Sequence, residues 1–181
     1  MAHMGAKGGG DGHVYKYNRT DGGFVEDLKN PDGTHRNGGD IRLTAEQGKP
    51  IVLVLDWYKE SDINDSGFSE AAADAFFAAM VQLNNDLGDG IFSSPLHFIG
   101  HSRGTVVNSE IIQRFGNYYP SLDDIQMTTL DPHDFIQPSL DTVLSALGYE
   151  GFADFHDPDI RTWDNVELHD NYYQTVVGPN E

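Results

Sequence analysis

Apolar residues along this chain fall into short runs set apart by polar, glycine-rich stretches. Ile51 to Leu55 reads Ile-Val-Leu-Val-Leu without interruption, the pattern of a strand buried on both faces in a parallel sheet. After the polar segment Lys59 to Gly67, apolar residues at 72, 76, 79, 80, 83 and 87 recur at helical spacing. They predict an amphipathic helix from Ser69, whose hydroxyl suits an N-cap, to about Leu87. Leu96, Phe98 and Ile99 form a second apolar run, and Val107, Ile111 and Phe115 follow at intervals of four, predicting strand then helix. Ile125 to Leu130 predicts a further strand, Ser139 to Leu147 a short helix ended by Gly148, and Ile160 to Leu168 a last strand closing at His169.

Strands alternating with helices imply an α/β fold: a mostly parallel sheet flanked by helices, a three-layer sandwich either complete or reduced to fewer strands, in which ligands sit at the carboxyl ends of the strands. The core is expected in Ile51–Leu55, Leu96–Ile99 and Ile125–Leu130, under the helices near Phe76 and Ile111. Residues 51–181 carry this core. Residues 11–50 are rich in Gly, Asn and Asp and read as a loop-rich lead-in, with short elements only at Val14–Tyr17 and Phe24–Leu28. Residues 1–10 resemble an added tag and are set aside.

Composition narrows the function. Eleven basic against 29 acidic residues give a net charge of −18, which disfavours nucleic acid and anionic membranes as partners. No run approaches the roughly 20 apolar residues of a membrane span, so a soluble protein is expected, with its compartment and oligomeric state unassigned. The chain has no cysteine, which removes thiolate chemistry and disulfides.

The candidate chemistry sits between the second strand and its helix. Gly100-His101-Ser102-Arg103-Gly104 is a G-x-S-x-G motif in strand–turn–helix context, the setting of a nucleophile elbow. Gly100 and Gly104 are expected because side chains two residues either side of the serine would collide. Ser102 would be the nucleophile, and the Arg103 backbone N–H, next in the chain, would donate to the oxyanion. Asp131, after the next strand, is the expected triad acid. His169, after the last strand, is the expected base, which completes the chain order Ser, Asp, His. His133, two residues beyond Asp131, is too near it in sequence to complete a triad easily and is read as a loop contact or pocket lining; His156 is a third candidate, and His101 is read as packing or lining the pocket. Two rival readings stand beside this one. Asp131 and His133 form an Asp-x-His pair of the kind that holds metal in metallophosphoesterases. Asp62-Ile63-Asn64-Asp65-Ser66-Gly67 matches the first half of a calcium loop, in a non-catalytic binding or interaction module. Its twelfth position is Ala73, where a carboxylate is needed, so a polar turn is the preferred reading.

Val54-Leu55-Asp56-Trp57, the Gly100–Gly104 elbow and Thr129-Leu130-Asp131-Pro132, in that order, resemble the pancreatic-lipase-like family of the α/β-hydrolase superfamily. The elbow, Thr129 to His133 and the late Asp170-Asn171-Tyr172-Tyr173-Gln174 are similar to related uncharacterised bacterial hydrolase-like proteins. The resemblance runs from about residue 51 to 174. It implies an α/β-hydrolase-like core and a carboxylic-ester hydrolase of esterase or lipase type, with Ser102 as nucleophile and Asp131 as acid. A small-molecule ester would be the substrate, and the reaction needs no cofactor. That family's His-Gly motif, which supplies a second oxyanion N–H, has no counterpart before Ile51.

Overall fold

A computed structural model describes residues 12–27, 48–59, 61, 67–132 and 157–174. The chain divides into two units. One comprises Met1–Trp57 and Ala75–Ser94, the other Tyr58–Asp74 and Pro95–Glu181.

In the first unit the alternation at positions 13–18 makes β1 (His13–Asn18), which hairpins onto β2 (Gly23–Glu26) and runs parallel to β3 (Ile51–Val54). The sheet order is β2-β1-β3. The hairpin turn closes with Gly22 at φ 66° and with the Asn18 side chain accepting from the Thr20 N–H at 3.0 Å, as an Asx-type turn does. Helix α1 (Phe68–Asp86) is divided between the units after Asp74, and its part in this unit contributes Phe76, Ala79, Met80 and Leu83 to the core, with Tyr15, Phe24 and Ile91. Tyr17 meets Phe76 edge-on at 4.8 Å and Phe24 at 6.0 Å. Burial of a ring such as Phe76 contributes about 2–3 kcal/mol.

β1 and β2 fall on the two short elements expected before Ile51, and the 13–18 alternation puts Tyr15 into the core while Lys16 stays exposed. One expectation changes here: Ile51–Val54 is half-buried at every position, so its apolar run does not mark a strand covered on both faces.

The second unit holds a fully parallel sheet, order β4-β5-β6: β4 (Leu96–His101), β5 (Ile125–Leu130) and β6 (Val166–Tyr172). Helix α2 (Gly104–Tyr118) joins β4 to β5 and packs on one face. Its buried Val107, Ile111 and Phe115 lie with Phe98 and Met127 in the core, and Phe98 and Phe115 are 6.0 Å apart. Ser109 and Ile112 of α2 also bind the approach to β6. The Trp163 indole N–H donates to the Ser109 carbonyl at 2.8 Å, the Arg161 N–H to the Ser109 hydroxyl at 3.0 Å, and the Asn165 amide to the Ile112 carbonyl at 3.1 Å.

These contacts explain a register error in the sequence reading. Residues 160–163 are irregular and tied to the helix, and the strand begins only at Val166, so His169 lies inside β6. Ser69 likewise is not a cap: it is the second residue of α1, buried, and its hydroxyl donates to Asp157 at 2.7 Å. The expected helix Ser139–Leu147 lies outside the described residues. What they show is a mixed α/β chain with a parallel three-stranded sheet and two helices. Among them, no helix is long and apolar enough to cross a membrane.

Candidate active site

The elbow forms where β4 meets α2. Ser102 has φ 50°, the left-handed region that a serine adopts only at a cost. Its N–H donates to the Leu130 carbonyl at 3.0 Å, extending the ladder one residue past β4. Its carbonyl accepts from the Thr105 N–H at 3.0 Å and the Thr105 hydroxyl at 2.6 Å. Arg103 is the helix N-cap, with φ −57° and ψ −22° and no side-chain capping bond.

The two motif glycines are not equivalent. A Cβ on Gly100 would stand 2.8 Å from the Gly104 carbonyl oxygen and 2.9 Å from the Asn108 amide nitrogen. A Cβ on Gly104 would meet nothing within 4 Å, and Gly104 has no positive φ. The close approach is therefore between Gly100 and the backbone of Gly104, which corrects the expectation of two colliding side chains.

Asp131 follows β5 as Ser102 follows β4. His101 pairs with Leu130, so the serine and the aspartate emerge side by side at the carboxyl edge of the sheet. Asp131 also has a positive φ, 48°. Its N–H donates to the Tyr172 carbonyl at 2.6 Å, and its exposed carboxylate accepts weakly from the Gln174 N–H at 3.4 Å.

His169 does not join them. It pairs with Met127, while Ser102 binds Leu130. That places it two strands across and four residues back, roughly 16 Å between Cα atoms at the usual sheet spacings. Both ring nitrogens are engaged, Nε2 with the Thr129 hydroxyl at 3.1 Å and Nδ1 with the Thr162 hydroxyl at 2.7 Å. The neighbouring Thr128, on the opposite face, pairs with His97 Nε2 at 2.8 Å. Burial lowers the His97 pKa, and nearby Asp170 opposes that shift. Thr128 and Thr129 thus each hold a histidine from a flanking strand. His101 is exposed at the end of β4. His133 and His156 lie outside the described residues, as does most of the calcium-like segment. Among the described residues no cluster of His, Asp and Glu could hold a metal ion.

The sequence reading missed a buried charge pair next to the serine. The Arg103 side chain is 6% exposed and that of Asp157 3%. Nε donates to Oδ2 at 2.6 Å and Nη2 to Oδ1 at 2.8 Å, a bidentate fork. Nη1 donates to the Ser61 carbonyl at 2.9 Å, and the Ser69 hydroxyl supplies a further donor to Asp157. A buried arginine demands a carboxylate, but with 29 acidic residues in the chain spacing alone could not single out Asp157.

Comparison with known proteins brings no match to this chain among family models, curated proteins or solved structures.

Proposed function

We propose that this chain is a serine carboxylic-ester hydrolase working through an acyl-enzyme, on a parallel sheet belonging to an α/β-hydrolase-like sandwich. The observation that carries the reading is the backbone of Ser102. A non-glycine residue held at φ 50° between a parallel strand and a buried helix is the strained turn that presents a nucleophile. A serine whose only task was to cap the helix would need no such conformation. Ser102 Oγ attacks the ester carbonyl, and a histidine takes its proton. The oxyanion accepts from the Arg103 N–H, and the alkoxide leaves with the proton. Water, activated by the same base, then releases the acid. Asp131, one strand over, is the carboxylate that orients that base. His169 is withdrawn as the base by its position in β6. The remaining sequence candidates are His133, just after Asp131, and His156, just before Asp157.

The test is p-nitrophenyl acetate and butyrate turnover, with labelling by a fluorophosphonate, for wild type and Ser102→Ala. Loss of both in the variant supports the mechanism. Equal turnover in the two proteins removes it.

A further inference from the structure

Burying an ion pair at the first turn of α2 is an expensive way to hold a helix in place. Desolvation costs several kcal/mol per ion, and apolar replacements of such pairs are often as stable or more so. What a bidentate fork adds is direction, since it fixes the plane of the guanidinium and so the path of the side chain. The residue fixed here is the one after Ser102. The same peptide unit is also gripped from its other side. Its carbonyl, on Ser102, accepts two bonds from Thr105, at 3.0 and 2.6 Å. In a trans peptide the N–H points opposite to the carbonyl. Fixing the Ser102 carbonyl therefore aims the Arg103 N–H.

We infer that Thr105 and the Arg103–Asp157 pair are positioning residues that aim the Arg103 N–H at the oxyanion. The inference rests on the hydrolase reading and deepens it. None of the three side chains touches the reacting atoms. They set the angle of one donor that is used in the transition state, so their loss appears in kcat and leaves KM almost unchanged. Removing a whole oxyanion donor typically costs about 100-fold to 1,000-fold in kcat. A donor that is present but misaimed should cost less, on the order of tenfold.

The experiment measures ester turnover, fluorophosphonate labelling and thermal melting for wild type, Ser102→Ala, Thr105→Val, Thr105→Ser, Arg103→Lys and Asp157→Asn. Arg114→Met is the control. Arg114 is a second largely buried arginine of α2, paired with Asp74 at 2.6 Å and Glu110 at 3.0 Å near the far end of the helix. The expected result is a fall in kcat of about tenfold for Thr105→Val and Asp157→Asn, with KM within about twofold. Thr105→Ser, which keeps the hydroxyl, should recover near wild-type kcat. Arg114→Met should melt earlier yet keep its kcat. If Thr105→Val and Asp157→Asn turn over as Arg114→Met does, or lose only KM, the positioning role is wrong while the hydrolase stands. If wild type is no more active or labelled than Ser102→Ala, the hydrolase reading fails, and the inference with it. Should Asp157→Asn not fold, the Thr105 pair of variants decides alone.

Discussion

Ser102 and Asp131 occupy the same place on neighbouring parallel strands, one residue past the paired His101 and Leu130, and both hold left-handed backbone, at φ 50° and 48°. For an aspartate this is a modest cost, because its short polar side chain tolerates the region. For a serine it is larger. Two such residues side by side at one sheet edge are the observation from which a functional site is proposed here.

That strain can be read separately from the chemistry. Ser102→Ala and Ser102→Gly both remove the hydroxyl, and only glycine relieves the backbone. The glycine variant should exceed the alanine variant in stability by about 1 kcal/mol, the penalty for a side chain in left-handed backbone. Both should lack turnover. Urea unfolding followed by circular dichroism measures the gap. Identical midpoints would mean that the turn relaxes in solution.

The two motif glycines should respond in opposite directions. Gly100→Ala places a methyl 2.8 Å from the Gly104 carbonyl oxygen, backbone that cannot swing away, and overpacking of this kind costs about 1–3 kcal/mol. Gly104→Ala enters open space at the first residue of α2. It should be neutral or stabilising by up to about 1 kcal/mol, through the smaller entropy of the unfolded chain. Denaturation midpoints of the two variants against wild type check this. A Gly104→Ala loss as large as that of Gly100→Ala would contradict the geometry.

The elements legible in the sequence were those whose periodicity agrees with local propensity. β5 falls on its expected span, and α1 lies within a residue of its expected limits. β4 runs two residues beyond Ile99, because Gly100 and His101 continue the ladder although neither is apolar. The strand–turn–helix around Ser102 was legible because its signal is local: five residues, a strand before and a helix after. The place of Asp131, one residue past β5, could be read because it follows the next strand. His169 was misplaced because Ile160, Thr162 and Trp163 are residue types that favour strands, while their segment is bound to Ser109 on the helix. The true edge strand is largely polar. Asp157 was invisible because its role depends on a contact 54 residues away in the chain, which no local pattern encodes.

Acid should ease a repulsion at the other end of the sheet. Glu167 shares a hydrogen bond with Asp124, and this contact, with the charge of Asp124, raises the Glu167 pKa above its ordinary value. A carboxyl raised in the folded state binds its proton more tightly than in the unfolded chain. Its contribution to stability is therefore present below the unfolded pKa of 4.5 and is lost as pH rises through the folded one. When both groups are charged they repel. Glu167→Gln should then melt slightly higher than wild type at pH 7, and the difference should vanish below about pH 4. Melting curves at the two pH values test it, and a variant less stable at pH 7 would show that the contact is attractive there.

His169 stands apart from the proposed chemistry. Its imidazole bridges Thr129 and Thr162, through Nε2 at 3.1 Å and Nδ1 at 2.7 Å, and it lies opposite Met127, well short of the strand end where Ser102 emerges. A general base must come within about 2.6–3.2 Å of the hydroxyl it deprotonates, and no side-chain rotation spans the remaining gap. His169→Ala should therefore keep kcat within a few-fold of wild type. The same variant should lose about 1 kcal/mol or more of stability, since the buried Thr129 hydroxyl gives up one of its partners and keeps Asn171, at 2.9 Å. His169→Gln, which can still reach one threonine, should recover part of that loss. If Ser102 does carry the reaction, the base must be another histidine. The same assay on His133→Ala and His156→Ala should find one of them as inactive as Ser102→Ala, because the members of a triad act as a unit. A His169→Ala protein that folds as wild type does but turns over no ester would restore His169 as the base. It would also mean that β6 shifts by several residues in the active state.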